Sequence, residues 1–305
     1  MLTSIWQDLK RQFNHGNMIT RIILVNVVFF IVANIVNLII TVFGGFEQQG
    51  VFDDFFLYYF AIHKDLFFDL THPWVIFTHM FLHVDFMHIL FNMLFLYWFG
   101  RIVGDFIGNH RVLAIYLMGG LFGALFYLLS ANFVPVGEKA LGASAAVMAF
   151  VVASGVLSPD YRMNLILIGE VKLKYIVAVL VFLDLIGIAN MGNTGGHFAH
   201  LGGAAFGWLY VVQLRNGNDW AEPVNRWLTI LKNYFGNIFK RKAKGPRMVY
   251  KNTEKSKAKG TSITDKEKPS QYQERLDSIL EKIKLKGYDS LTEEEKEFLF
   301  NASKK

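Results

Sequence analysis

Apolar and polar positions alternate along this chain in two regimes that change at about residue 215. Before that point, long apolar runs are separated by short polar stretches. Beyond it, charged residues are frequent and apolar ones recur at helical spacing. A helix crossing a bilayer needs about 20 mostly apolar residues, because backbone N–H and C=O groups in hydrocarbon must be satisfied within the segment. Six runs approach this requirement: residues 22–43, 75–100, 112–130, 141–157, 175–190 and 197–214. The second run carries His79, His83, Asp85, His88 and Asn92, the fourth is short and opens on small residues, and the fifth encloses Asp184. The predicted fold class is an all-α membrane protein with six spans and a polar tail.

Between the runs, basic residues fall on alternate sides. Lys10, Arg11 and Arg21 precede the first run, Arg101 and Arg111 follow the second, Arg162, Lys172 and Lys174 follow the fourth, and Arg215 follows the sixth. The other loops hold only Lys64 and Lys139. Since Lys and Arg near span ends are retained in the cytoplasm, both termini are expected there, with the protein multi-pass in a plasma (inner) membrane. No cleaved leader is expected, because the first apolar run is as long as a span and no small-residue cleavage site follows it. Residues 1–19 place Ile5, Trp6, Leu9 and Phe13 at helical spacing, as in an amphipathic surface segment or a frayed polar leader. Residues 44–74 are a long loop rich in Phe and Tyr, expected to lie partly in the membrane interface, and residues 163–174 read as a small hairpin.

Composition sharpens this picture. With 53% hydrophobic and 18% charged residues, the chain is too apolar for an ordinary water-soluble domain. The absence of cysteine excludes disulfide scaffolds, thiolate metal sites and cysteine nucleophiles. Of 31 Lys and Arg residues, 20 lie in 216–305, so the net charge of +6 belongs to the tail. The tail divides into a linker, 216–268, and a terminal unit, 269–305. The linker begins with an amphipathic segment around Trp220, Trp227 and Tyr234. From 240 to 260 it is polybasic, with Lys240, Arg241, Lys242, Lys244, Arg247, Lys251, Lys255, Lys257 and Lys259 against Glu254 alone. This run suits either attraction to anionic lipid or a solvated linker. Nucleic acid is not an expected partner, because aromatic interleaving and a folded basic face are missing. Residues 272–286 and 292–301 read as a helical hairpin, with Gly287 as a stop, a Thr292/Glu295 capping box, and a cytoplasmic protein as a possible partner.

Polar groups inside spans are costly, so each is a candidate for function. In the second run, His88 and Asn92 are four residues apart and share a helix face. Ser144 follows Gly142 at the start of the fourth run, and His200 stands near the start of the sixth. At about 1.5 Å per residue, these groups reach similar depth below one face. A serine becomes a nucleophile when a histidine can take its proton. The start of the fourth run also offers free backbone N–H groups to an oxyanion. Gly203 and Gly207 form a GxxxG face beside His200, and Ala145, Ala146 and Ala149 offer the complementary small surface, which would bring His200 beside Ser144.

These motifs together resemble the rhomboid family of intramembrane serine proteases, over roughly residues 70–212: His83-x4-His88-x3-Asn92, Gly142-x-Ser144 and Ala199-His200-x2-Gly203-x3-Gly207. The resemblance implies a six-helix rhomboid domain over residues 20–215. It makes Ser144 the nucleophile and His200 the general base of a dyad. His88, Asn92 and the Ser144 N–H would stabilise the oxyanion, with His83 structural and Gly142, Gly203 and Gly207 shaping the site. It implies no cofactor and no metal, and substrates that are membrane proteins with a transmembrane helix. Within the dyad no carboxylate is required, so Asp184 is expected to be a hydrogen-bonded core acid and Asp85 a rim residue. Three positions depart from the family pattern: Val75 follows Trp74 where Arg is frequent, Ala145 stands for Gly after the serine, and Met148 stands for Tyr. Residues 191–196, rich in glycine, are the expected mobile cap. Rival readings are a non-catalytic binder or chaperone of membrane proteins with the same fold, and a transporter with a histidine proton relay. The transporter reading would call for internal repeats and paired interrupted helices, and the sequence shows neither.

Overall fold

The computed structural model describes residues 7, 10–14, 16–44, 51–165, 168–190, 193–239 and 269–302. About half of the surface segment expected in residues 1–19 falls outside them, and the polybasic run 240–260 entirely so. The chain resolves into two compact units, residues 1–242 and 243–305.

The first unit is built from α1 (Met18–Gly44), α2 (Val51–Phe60), α3 (Leu66–Thr71), α4 (Val75–Thr78), α5 (Phe86–Ile107), α6 (Val112–Ser130), α7 (Ser144–Leu157), α8 (Leu173–Ala189), α9 (Thr194–Arg215) and α10 (Ala221–Phe239). Among the described residues, three helical stretches are long and apolar enough to cross a membrane: Met18–Gly44, Phe86–Ile107 and Asn109–Ser130. The apolar helix Ser144–Leu157 is shorter.

α7 is the centre of this unit. Every residue from Ala145 to Gly155 is buried, and α7 packs most extensively on α9, then on α6 and α5. Small residues make the close approach possible. A methyl group built on Gly203 or Gly207 would collide with the backbone carbonyl of Ala145 or Ala149 respectively, so α9 meets α7 backbone to backbone. α1 is the opposite case: Val28, Phe29, Ile31, Val32, Ile35, Leu38 and Ile39 all point outward. Such a surface is stable only against hydrocarbon or another apolar face. Fourteen residues of helix rise only about 21 Å, which is less than the roughly 30 Å of a bilayer core.

Two short antiparallel pairs complete the unit. β1 (Ile62–His63) pairs with β2 (Lys139–Ala140), tying the segment before the second apolar run to the segment before α7. β3 (Arg162–Leu165) pairs with β4 (Gly169–Lys172), the hairpin expected between residues 163 and 174. The aromatic loop of residues 44–74 is largely helical where described, through α2 and α3.

The second apolar run is not one helix. α4 and a short 3-10 turn at His79–Phe81 end at Leu82, and α5 begins at Phe86. Asp85 is the reason: its carboxylate accepts from the His88 N–H at 2.7 Å and caps α5. This side-chain bond outweighs the continuity of hydropathy, so His83 lies in the connecting loop and not within a span. The expected cap is also redrawn. Asn193 takes a left-handed φ of 49° and α9 starts at Thr194, so Gly195 and Gly196 belong to its first turn. Met191 and Gly192 lie outside the described residues.

Beyond α9 the chain stays attached to the membrane unit. Asp219 accepts from Arg111 Nε at 2.7 Å, from the Tyr210 hydroxyl at 3.1 Å and from the Ala221 N–H at 2.9 Å, and Ala221 is buried. Burial pushes the Asp219 carboxyl up, but these three donors together hold it below the ordinary aspartate range. A carboxylate depressed in the folded state stabilises the fold above its unfolded pKa, and that stability is lost as pH falls through the folded value. The thermal midpoint of the wild-type protein is therefore expected to fall below about pH 4 in a way that Asp219→Asn does not reproduce. Parallel melts of the two proteins from pH 6 to pH 3 check this, and identical pH dependence would contradict it.

The second unit contains α11 (Pro269–Lys286) and α12 (Glu293–Ala302). Gly287, at φ 78°, ends the first helix. Glu295 Oε2 accepts from the Thr292 N–H at 2.8 Å, and Lys282 Nζ lies 2.9 and 2.8 Å from the two Glu295 oxygens, joining the helices. Tyr272 and Phe298 pack ring to ring at 5.0 Å.

Candidate active site

The loop before α7 is anchored from the other side of the 3-10 turn. The Gly142 N–H donates to the His79 carbonyl at 2.9 Å, and the Ala143 N–H donates to His83 Nε2 at 3.3 Å. His83 therefore holds the backbone one residue ahead of Ser144, which gives its expected structural role a concrete bond. Gly142 has a φ of +116°, and a Cβ there would stand 2.8 Å from His88 Cε1 and 2.9 Å from Nε2. The missing side chain is the space in which the His88 ring lies. Ser144 then opens α7, where the first N–H groups have no intrahelical partner.

One cleft of about 460 Å³ collects the predicted residues. Ser144, His88, Asn92 and His200 all line it, together with Asp85 and Asp184. Its remaining wall is apolar, from Met87, Phe91 and Phe95 of α5, Val147 and Met148 of α7, and Leu180 and Leu183 of α8. The cleft thus runs between α5 and α8, with polar groups contributed from the α5, α7, α8 and α9 segments. Asn92 is buried and donates one amide hydrogen to the His88 carbonyl at 2.9 Å, which leaves its second hydrogen for the cleft. Gly203 and Gly207 do not line the cleft; they act through the α7–α9 contact.

Two of the departures acquire a physical setting. The Ala145 methyl occupies space left by Gly123 on α6, where any Cβ would collide with it. Met148 lies on the cleft wall beside Val147, where a flexible thioether can pack against varied surfaces.

The largest departure from expectation concerns a carboxylate. His200 Nδ1 lies 2.7 Å from Asp184 Oδ1, and His197 Nδ1 lies 2.8 Å from the same oxygen. Asp184 was expected to be hydrogen-bonded within the core, and it is, but its partner is the histidine expected to act as base. The only signal in the sequence was a charge at mid-run opposite two histidines. Hydropathy shows that such a group needs a partner without showing which one. The three ligand-type atoms all lie within 4.8 Å of one another, a set that could hold a cation. Separations of 2.7 and 2.8 Å are those of direct hydrogen bonds, shorter than the roughly 3.3 Å between ligands of a tetrahedral zinc site. Among the described residues no hydrogen bond joins Ser144 Oγ to His200. Such bonds often tighten only when substrate is bound.

A helical membrane unit with a serine, histidines and an asparagine around one cleft is the class of protein these observations define. Residues 70–217 match the family model of the rhomboid domain, so this part of the chain is a rhomboid domain. Residues 261–305 match a family of unknown function, DUF6576. The chain is similar to RHOMBOID-like protein 12, mitochondrial, of Arabidopsis thaliana, at 31% identity over 46% of this chain and 46% of that protein. It is also similar to Presenilin-associated rhomboid-like protein A, mitochondrial, of Danio rerio, at 29% identity over 43% of this chain and 35% of that protein. The chain thus matches less than half the length of each of these curated relatives. Their names also correct one expectation: both are mitochondrial proteins, which overturns the plasma (inner) membrane and cytoplasmic termini read from the loops. Lys and Arg distinguish the two sides of a bilayer but do not identify the bilayer.

Proposed function

We propose that the protein is an intramembrane serine endopeptidase in which Ser144 is the nucleophile and His200 the base. The membrane, taken from the relatives' names, is mitochondrial. α1, α5, α6, α7, α8 and α9 are its six spans, and the α11–α12 pair is its terminal hairpin. The observation that carries the reading is the convergence of Ser144, His200, His88 and Asn92 on one cleft from three separate helices.

The chemistry follows from these groups. His200 takes the Ser144 proton as Oγ attacks a peptide carbonyl, and the developing oxyanion is met by the Ser144 N–H, the His88 ring and the Asn92 amide. His200 then gives the proton to the leaving amine, and water repeats the sequence on the acyl-enzyme. The apolar walls on α5 and α8 suit one segment of a transmembrane helix. An intact helix hides its carbonyls in its own hydrogen bonds, so helix-relaxing residues at the cleavage point should favour hydrolysis. In this reading the cleavage point lies near the membrane face from which α7 and α9 start, since Ser144 opens α7 and His200 stands in the first turns of α9.

His88→Ala and Asn92→Ala are each expected to lower kcat on the order of 10²–10³-fold while leaving labelling by a fluorophosphonate probe detectable. Turnover of a helical membrane reporter by the purified variants checks this, and wild-type rates in both would remove them from the oxyanion site. The reading as a whole is tested by probe labelling of the wild-type protein, because a non-catalytic binder would not react.

A further inference from the structure

We propose that Asp184 is a positioning residue for His200, so that the site works as a Ser-His-Asp relay and not as a two-residue dyad; this rests on the serine-protease reading above. Three observations carry the proposal. First, Asp184 is the lone charged residue between Tyr175 and Ala189, and of the 17 residues of α8 only Leu173 and Asp184 are buried. Its other apolar side chains beyond Leu173 are exposed or only partly buried, and this one acid is turned into the protein. Second, Asp184 Oδ1 lies 2.7 Å from His200 Nδ1. A carboxylate can only accept, so His200 carries its proton on Nδ1 and presents a bare Nε2, the tautomer that a general base needs. Third, the carboxylate is itself held. His197, one helical turn before His200, donates to the same oxygen at 2.8 Å, and its ring fills the space above Gly187, where any Cβ would collide with it. Gly187, three residues beyond Asp184, thus leaves room for the clamp.

The arrangement joins α8 to α9 at the depth of the reaction and gives the base a fixed orientation. During attack Asp184 stays ionised and accepts throughout; the proton moves only between Ser144 Oγ, His200 Nε2 and the leaving amine.

The test uses the full chain, purified in detergent, with a helical membrane reporter and a fluorophosphonate. Asp184→Asn is expected to lower kcat on the order of 10²–10⁴-fold with KM changed less than about threefold, and Asp184→Glu to recover part of the loss. A role confined to packing would not separate kcat from KM or respond to restored charge. In case Asp184→Asn does not fold, ¹⁵N-histidine NMR of the otherwise wild-type chain, assigned with His200→Asn, reads the tautomer directly, with Nδ1–H expected. A folded Asp184→Asn enzyme with wild-type kcat, an Nε2–H tautomer at His200, or activity lost to a chelator and restored by zinc would each overturn the proposal. Failure of the protease reading looks different: in that case Ser144→Ala cleaves as well as the wild type, or neither cleaves at all.

Discussion

Ser144→Ala is expected to abolish cleavage of a helical membrane reporter, a loss on the order of 10⁶-fold, with the fold retained. Ser144 is half-buried at the first position of α7. Replacing it with alanine removes one oxygen, and the helix keeps its packing because Ala145 through Gly155 are untouched. The oxyanion donors also remain, so any residual hydrolysis measures what binding and the donors achieve without a nucleophile. Turnover and the thermal midpoint, measured together on the purified variant, check the expectation. Retained turnover would require a different nucleophile in the cleft.

Gly203→Val is expected to remove activity by another route. A Cβ at position 203 already collides with the Ala145 carbonyl, and neither partner can rotate away, since both are backbone within helices. Two further methyls must push α9 off α7, at the upper end of the roughly 1–3 kcal/mol typical of overpacking or beyond it. The displacement separates His200 on α9 from Ser144 on α7 without changing either side chain. The thermal midpoint should fall by several degrees, and activity by more than the loss of folded protein accounts for. An active Gly203→Val enzyme with an unchanged midpoint would contradict the backbone-to-backbone contact.

Much of this was legible in the residues. The run at 112–130 matches α6 because no charge interrupts it, and Ser144 and His200 reach one cleft, with His88 and Asn92 of α5, because small residues at 203 and 207 let α9 lie close on α7. What could not be read depends on bonds between distant positions. The hydropathy of residues 75–100 concealed a break that the Asp85 side chain makes by capping α5. The bond from the Ala143 N–H to His83 spans 60 residues, and Asp184 finds His200 only once α8 and α9 are side by side. Asp219, in what reads as linker, is tied to Arg111, 108 residues earlier. Pattern identifies a group that needs a partner, and tertiary packing selects the partner.

The central claim, that Ser144 is activated by His200, is tested most directly by locating the adduct that a fluorophosphonate forms on the purified wild-type chain with tandem mass spectrometry, alongside His200→Ala. The account predicts a single modified peptide carrying the probe on Ser144, with labelling lost in His200→Ala. An adduct on any other residue, or undiminished Ser144 labelling without His200, would contradict it.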